Sequence, residues 1–233
     1  MTSTEVLYKC EPMHTAAIFD LDGTITKWGT YTPFIIFVAR QCPPKFFYAL
    51  PIIIAAILYK LRLVTRDRVK EFMLRAVLGG IQRSEVSAHA ATFSKRCVRK
   101  GLRPGAMHAI ARHRAAGDFL VLATASFDFY AKFIGEKLGF DTVVGTEAEW
   151  DAQDRLSGKI AGNNCRGHEK LRKIMQVFPD LREKFHVVAY SDHHVDMPLL
   201  RWAHRAVAVN PSGRLRSCAA REGFCIVDWN KIS

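Results

Sequence analysis

The sequence predicts an α/β fold, a Rossmann-like doubly wound parallel sheet interrupted by an inserted helical cap. Three observations carry this expectation. A short apolar run, Ala16-Ala17-Ile18-Phe19, ends in Asp20-Leu21-Asp22-Gly23 and reads as a buried strand of a parallel sheet. Strand-like and helix-like segments then alternate from Gly101 to Val227, the rhythm of strands joined by crossover helices. Between these regions, residues 32–99 carry helical patterning without a strand signal. The expected organisation is a core of residues 1–31 and 100–233 with a cap of residues 32–99. A chain of 233 residues is long enough for one such core with an insertion.

The elements follow in order. After the first strand, Ile25 to Tyr31 is a polar connection containing glycine, and the helical insertion follows. Met107 to Ala116 reads as a helix stopped by Gly117, and Phe119 to Thr124 as a buried strand. Phe129 to Leu138 is helical up to Gly139, and Thr142 to Val144 is a short strand. Residues Glu147 to Ile160 alternate around Asp151-Ala-Gln-Asp154 and Ser157-Gly158, which suggests a hairpin. Lys170 to Val177, Met197 to Ala203 and Leu215 to Glu222 read as helices. His186 to Tyr190, Ala206 to Val209 and Cys225 to Val227 read as strands.

Composition narrows the function classes. The formal net charge of +12 favours phosphates, an anionic membrane surface or nucleic acid as partners. Nucleic acid is set aside, because no aromatic stacking platform or recognition motif accompanies the charge. Cys10, Cys42, Cys97, Cys165, Cys218 and Cys225 are scattered without a Cys-x-x-Cys pair, so neither a zinc site nor a disulfide framework is expected. The first ten residues lack a basic segment followed by an apolar core, and a cytoplasmic protein is expected. No protein partner is inferred.

In open α/β sheets ligands bind beyond the carboxyl ends of the strands, so Asp20 and Asp22 fall where chemistry is done. Two carboxylates this close are costly unless a cation or a phosphoryl group uses them; the plainer reading is a solvated Asp-Gly turn. Three further sites fall at strand ends. Leu120 to Ser126 runs from an apolar strand into small hydroxyl residues. Arg166-Gly167-His168-Glu169-Lys170 places basic groups at a helix start, and Ser191-Asp192-His193-His194-Val195-Asp196 places two carboxylates four apart after a strand. Each has a structural alternative. Thr124 either meets a ligand or caps a helix, with Ser126 the better cap candidate. Lys170 and Arg166 compete for one role. Asp192 and Asp196 also suit a helix N-terminus.

The order of carboxylate pair, hydroxyl, lysine and second carboxylate pair resembles the four motifs of the haloacid dehalogenase (HAD) superfamily. The spacing is similar to the phosphoserine-phosphatase-like branch, whose helical cap follows the first motif. The likeness runs from Ala16 to Val227 and takes in Asp20-Leu-Asp-Gly-Thr24, Thr124-Ala-Ser-Phe-Asp-Phe-Tyr130, Lys137-Leu-Gly-Phe140 and Asn164-Cys-Arg-Gly-His-Glu-Lys170. The resemblance implies a phosphatase with Asp20 as nucleophile and Asp22 as general acid and base. It implies Mg²⁺ held by the Asp20 carboxylate, the Asp22 carbonyl and Asp192, with Asp196 supporting that metal set. Thr124 would bind a phosphoryl oxygen and Lys170 would neutralise Asp20 and the phosphoryl group. Gly23, Ser126 and Arg166 are assigned to substrate binding. His193 and His194 are read as loop or substrate-side residues, and Ser191 stands where the family usually has glycine.

The insertion points to a substrate class. Phe46 to Tyr59 is apolar throughout, is flanked by Lys45, Lys60 and Arg62, and contains Pro51. As a helix it spans about 21 Å, short of the ~30 Å hydrocarbon core. A second apolar run, Phe34 to Ala39, lies upstream. Either these runs fill the interior of the cap, or they dip into a membrane interface with the basic residues at its edge. The interfacial reading implies a phosphorylated lipid as substrate and a peripheral position on the inner face of a bacterial cytoplasmic membrane. Within the branch the chain looks most like the enzymes that dephosphorylate phosphatidylglycerophosphate. The rival readings are a soluble phosphatase for a small phosphomonoester such as phosphoserine, and a non-catalytic membrane-associated regulator.

Overall fold

The first strand, β1 (Thr15–Phe19), lies inside a six-stranded sheet because both of its faces are apolar. Ala17 and Phe19 enter one core layer and Ala16 and Ile18 the other, and all four are fully buried. The computed structural model describes residues 14–41 and 64–231. The run Phe46 to Tyr59, with Lys45, Lys60 and Arg62, lies outside them, as do Cys10 and Cys42.

The chain continues through α1 (Tyr31–Gln41), α2 (Arg66–Leu78), α3 (Arg83–Lys100), α4 (Pro104–Ala115), β2 (Phe119–Phe127) and α5 (Asp128–Leu138). β3 (Thr142–Thr146) precedes the hairpin of β4 (Ala148–Trp150) and β5 (Leu156–Ile160). The remainder is α6 (His168–Val177), α7 (Leu181–Lys184), β6 (His186–Ser191), α8 (Met197–Trp202), β7 (Arg205–Val209), α9 (Gly213–Glu222) and β8 (Cys225–Val227). The strand order β3-β2-β1-β6-β7-β8 is parallel throughout. The chain moves outward from β1 through β2 to β3, then crosses back to β6. The strand order therefore reverses between β1 and β6, where ligand crevices form in such sheets.

Two expected boundaries shift for physical reasons. α4 begins at Pro104 rather than Met107, because a proline at the first helical turn lacks only an N–H that has no helical partner. β2 runs to Phe127 rather than Thr124, because its pairing with β3 resumes at Phe127–Thr146 after an irregularity. That extension removes Ser126 from the helix-cap role expected of it. Phe127 precedes α5, and no side chain caps that helix.

The Phe34 to Ala39 run also departs from the interfacial reading. Phe34, Ile35 and Val38 are buried, with Phe34 stacked on Tyr130 at 4.7 Å and edge-on to Phe93 at 5.3 Å. The run alternates as a helix does, so one face joins the core and leaves Ile36 exposed. Only that outer face is free to meet anything else.

Phe19 anchors the layer beneath the site, stacked on Tyr190 at 4.4 Å with His113 edge-on at 5.8 Å. Phe19→Ala is expected to cost about 3–5 kcal/mol, since a fully buried aromatic leaves a cavity its neighbours only partly fill. Denaturant unfolding reads this directly, and a loss below about 1 kcal/mol would contradict the anchoring role.

Candidate active site

β1 delivers Asp20 to the switch point, where its N–H donates to the Tyr190 carbonyl at 3.0 Å. The chain then turns back over residues 21–25, closed by the Thr26 N–H donating to the Leu21 carbonyl at 2.9 Å. The turn needs Gly23, whose φ of +87° is unfavourable for any side chain. A Cβ there would also stand 2.3 Å from Asp192 Oδ2, so Gly23 lets the first turn press against the loop after β6.

Lys170, at the start of α6, is one of the largest fully buried side chains. Its Nζ donates to Asp20 Oδ1 at 2.8 Å and to Asp196 Oδ2 at 2.6 Å. The Ser191 hydroxyl donates to the same Asp196 oxygen at 2.8 Å. Asp196 is thus turned toward Lys170 through Oδ2. Burial opposes a charged lysine, but the two carboxylates outweigh burial and hold its pKa above the ordinary value. Lys170 is also the basic group bonded to Asp20. Arg166 stands near His193, whose pKa is lowered by burial first, then by His194 and Arg166.

Thr24 sits between the remaining carboxylates. Its hydroxyl is 3.1 Å from Asp20 Oδ2 and 3.4 Å from Asp192 Oδ1. One proton cannot satisfy both. Burial, with nearby carboxylates adding to it, pushes Asp20 up to about 8 against the pull of Lys170. Burial and the Asp196 charge push Asp192 up to about 6. This surplus of negative charge around one shared hydroxyl fits a hard cation with oxygen ligands. Among the described residues no three His, Cys, Asp or Glu side chains converge on one cation position.

Asp22 is held apart from that group. Its Oδ1 accepts the Thr30 N–H at 2.6 Å, and its Oδ2 accepts the Ser126 hydroxyl at 2.6 Å. Ser126, expected to bind substrate, is therefore spent on orienting Asp22. Thr124 is fully buried, and its oxygen accepts the Ser126 N–H at 3.0 Å, leaving its own proton free to donate. Its place two residues beyond Leu122, the partner of Phe19, sets it at the same sheet edge as Asp20.

Three contributors escaped the sequence reading. Thr30 binds Asp22 through its main chain, which no side-chain motif can announce. Arg103 donates from Nε to the Gly23 carbonyl at 3.0 Å and braces the first turn. Lys70 of α2 donates to the Ala125 carbonyl at 2.7 Å and to Asn164 Oδ1 at 3.2 Å, with its ammonium 4.1 Å from the centre of the Phe127 ring. Burial lowers its pKa to about 7. Its signal was present in the sequence, because Lys70 shares the apolar helix face of Met73, Leu74 and Val77.

Residues 17–201 match the family model of haloacid dehalogenase-like hydrolases. The chain is 31% identical to protein CicA of Caulobacter vibrioides over 191 residues, 82% of each chain. It is 33% identical to phosphoserine phosphatase SerB1 of Mycobacterium tuberculosis over 120 residues, 50% of this chain and 38% of that relative. Among solved structures, a protein of unknown function from Bordetella pertussis Tohama I superposes with a TM-score of 0.82 at 27% identity. That match covers 93% of this chain and 99% of the other.

Removing Lys170 should strand two buried carboxylates. Lys170→Met is expected to lower stability by about 3–5 kcal/mol in metal-free buffer, the usual cost of deleting one partner of a buried ion pair. Equilibrium unfolding of the variant beside the parent measures it, and equal stability would show that the lysine is not what balances this charge.

Proposed function

Since the chain belongs to the haloacid dehalogenase-like hydrolases, we propose that it is a Mg²⁺-dependent phosphomonoester hydrolase acting through an aspartyl-phosphate on a phosphorylated lipid. The observation that carries the catalytic part is the Asp20–Lys170–Asp196 bridge beside an independently oriented Asp22. Asp20 is the nucleophile. Its carboxylate oxygen forms a bond to phosphorus as the ester P–O bond breaks, and the departing alkoxide takes a proton from Asp22. Asp22 then accepts a proton from water, whose oxygen attacks phosphorus and releases Asp20. Lys170 holds Asp20 in register and balances charge on the phosphoryl oxygens, while Thr124 and the amides at Asp22 and Gly23 donate to them. Asp20, Asp192 and the Asp22 carbonyl would hold Mg²⁺, which would supply the further positive charge that attack by one anion on another demands.

The lipid part rests on surface chemistry. An apolar groove of about 380 Å³ is lined by Trp28, Pro33, Ile36, Phe37 and Phe93, with Arg40, Arg96 and Lys100 also on its walls. Trp28 and Ile36 are about half exposed there, at 50% and 45%. An apolar surface among cations suits an amphiphile carrying phosphate. The apolar run Phe46 to Tyr59 adds the same character in sequence, and the resemblance to phosphatidylglycerophosphatase C supplies the specific candidate. No helix among the described residues is long and apolar enough to cross a membrane, so the proposed location is peripheral, on the inner face of the cytoplasmic membrane. The competing substrate is a soluble phosphomonoester such as phosphoserine, favoured by the SerB1 relative.

Phosphate release decides between these substrates. Lipid phosphates in mixed micelles are expected to turn over faster than phosphoserine, and the reverse order selects the soluble reading. Asp20→Asn, or excess chelator, is expected to abolish release from every substrate while circular dichroism stays that of the parent. Full activity in either case would refute the mechanism.

Membrane engagement has its own test. Ile53→Asp combined with Ile57→Asp is expected to weaken binding to anionic vesicles and to slow lipid-phosphate turnover, while hydrolysis of a soluble aryl phosphate continues. A folded double variant that binds such vesicles like the parent removes Phe46 to Tyr59 as the anchor.

A further inference from the structure

We propose that Tyr130, Thr30 and Ser126 form a buried, one-way chain of hydroxyls that positions Asp22 and ties its orientation to the seating of the inserted helices. The inference rests on the reading of Asp22 as general acid and base. Ser126 Oγ lies 2.6 Å from Asp22 Oδ2, Thr30 Oγ1 lies 3.1 Å from Ser126 Oγ, and Tyr130 Oη lies 3.1 Å from Thr30 Oγ1. Thr30 and Ser126 are 1% and 2% exposed and Tyr130 is fully buried.

The direction of the chain follows from counting protons. In its ionised form Asp22 only accepts, so Ser126 then gives its single hydroxyl proton to Asp22. Ser126 is then left to accept from Thr30 and Tyr130, and with the Thr30 proton turned to Ser126 the Tyr130 phenol is the outermost donor. Burial holds the Tyr130 phenol well above its ordinary pKa, so it stays a donor. Its Oη lies 3.1 Å from Thr30 Oγ1, and Ser126 is also within its hydrogen-bonding reach. Aligned hydroxyls in a dry interior polarise one another, so the far end of the chain strengthens the bond to Asp22. Thr30 acts twice, because its N–H also donates to Asp22 Oδ1. Both carboxylate oxygens are therefore referred to residue 30.

The other end of the chain touches the insertion. Tyr130 belongs to α5 of the core, but its ring stacks on Phe34 of α1 at 4.7 Å and meets Phe93 of α3 edge-on at 6.0 Å. Thr30 directly precedes α1, and its carbonyl accepts the Phe34 N–H at 3.0 Å. Displacing α1 or α3 would disturb the phenol and Thr30 together. Tyr130, Thr30 and Ser126 are positioning residues, since they act on the reaction through Asp22.

The experiment compares kcat/KM for an alkyl phosphate (phosphoserine or a lipid phosphate, whichever is turned over faster) with kcat/KM for para-nitrophenyl phosphate. This parameter covers steps up to departure of the leaving group, so later hydrolysis of the phosphoenzyme does not blur it. A misplaced acid penalises the alkyl ester, whose alkoxide needs a proton, far more than the aryl ester. Tyr130→Phe, which keeps the ring among its aromatic neighbours, and Thr30→Val are each expected to lower the alkyl value by about tenfold to a hundredfold. The aryl loss is expected to be several-fold smaller, and Thr30→Ser should restore the parent ratio. Asp22→Asn is measured alongside. If it discriminates between the two esters while Tyr130→Phe or Thr30→Val lowers both equally or neither, the chain does not position Asp22 and the proposal falls. If Asp22→Asn itself depresses both esters equally, the acid role of Asp22 falls and this inference with it.

Discussion

A single ammonium, that of Lys170, is carried into a volume that holds Asp20 and Asp196 within 3 Å of it and Asp192 close by. Burying a charge is tolerated only when it is paired and hydrogen-bonded. Lys170 meets that condition by spanning two loops that are far apart in sequence: Asp20 follows β1, and Asp196 follows β6. Once the bridge is made, α6 cannot slide along the sheet without separating charges in a medium that screens them poorly. The position of the helix, the spacing of the two strand ends and the charge state of Asp20 are therefore one constraint. Ser191 serves the same end, since its hydroxyl on Asp196 satisfies a lone pair that the lysine leaves open.

The first turn is fitted around this bridge. A residue with a side chain at position 23 would collide with Asp192 and would also have to adopt a left-handed backbone. Glycine there lets two acidic loops approach until one hydroxyl, Thr24, lies within reach of both. Such an arrangement is unfavourable in isolation and favourable once positive charge arrives. The site thus holds one permanent cation against Asp20 and leaves charge to be balanced by what it binds. Asp22 is held by neutral donors, the Thr30 N–H and the Ser126 hydroxyl, and not by the Lys170 bridge.

The segment from Thr124 to Ser126 is where core and insertion meet. Three of its polar groups are engaged: the Thr124 oxygen by the Ser126 N–H, the Ala125 carbonyl by Lys70 and Thr146, and the Ser126 hydroxyl by Asp22. Lys70 arrives from α2 and Thr146 from β3, so the loop is fixed from both sides. A lysine whose pKa burial has lowered to about 7 needs less compensation to remain in an apolar seat than a fully charged one.

The amino-acid sequence by itself determined the parallel sheet, the succession of strands and helices along the chain, and the placing of Asp20, Asp22 and Asp192 directly after apolar strands, because these properties are local. Runs apolar on both faces make buried parallel strands wherever they occur, and carboxylates placed directly after them reach the carboxyl edge. Partnership is not local. Whether Lys170 or Arg166 meets Asp20 depends on how α6 seats against β1 and β6, more than a hundred residues apart. Ser126 looks like a helix cap until the pairing of β2 with β3 carries the strand past it and turns its hydroxyl to Asp22. Half of the Phe34 to Ala39 run looks free until α1 packs it against Phe93 and Tyr130. Lys70 and Thr30 enter the site through a main-chain carbonyl and a main-chain N–H, groups that nearly every residue carries whatever its side chain. Only the tertiary structure could select them, because only packing brings those particular backbone atoms within hydrogen-bond distance.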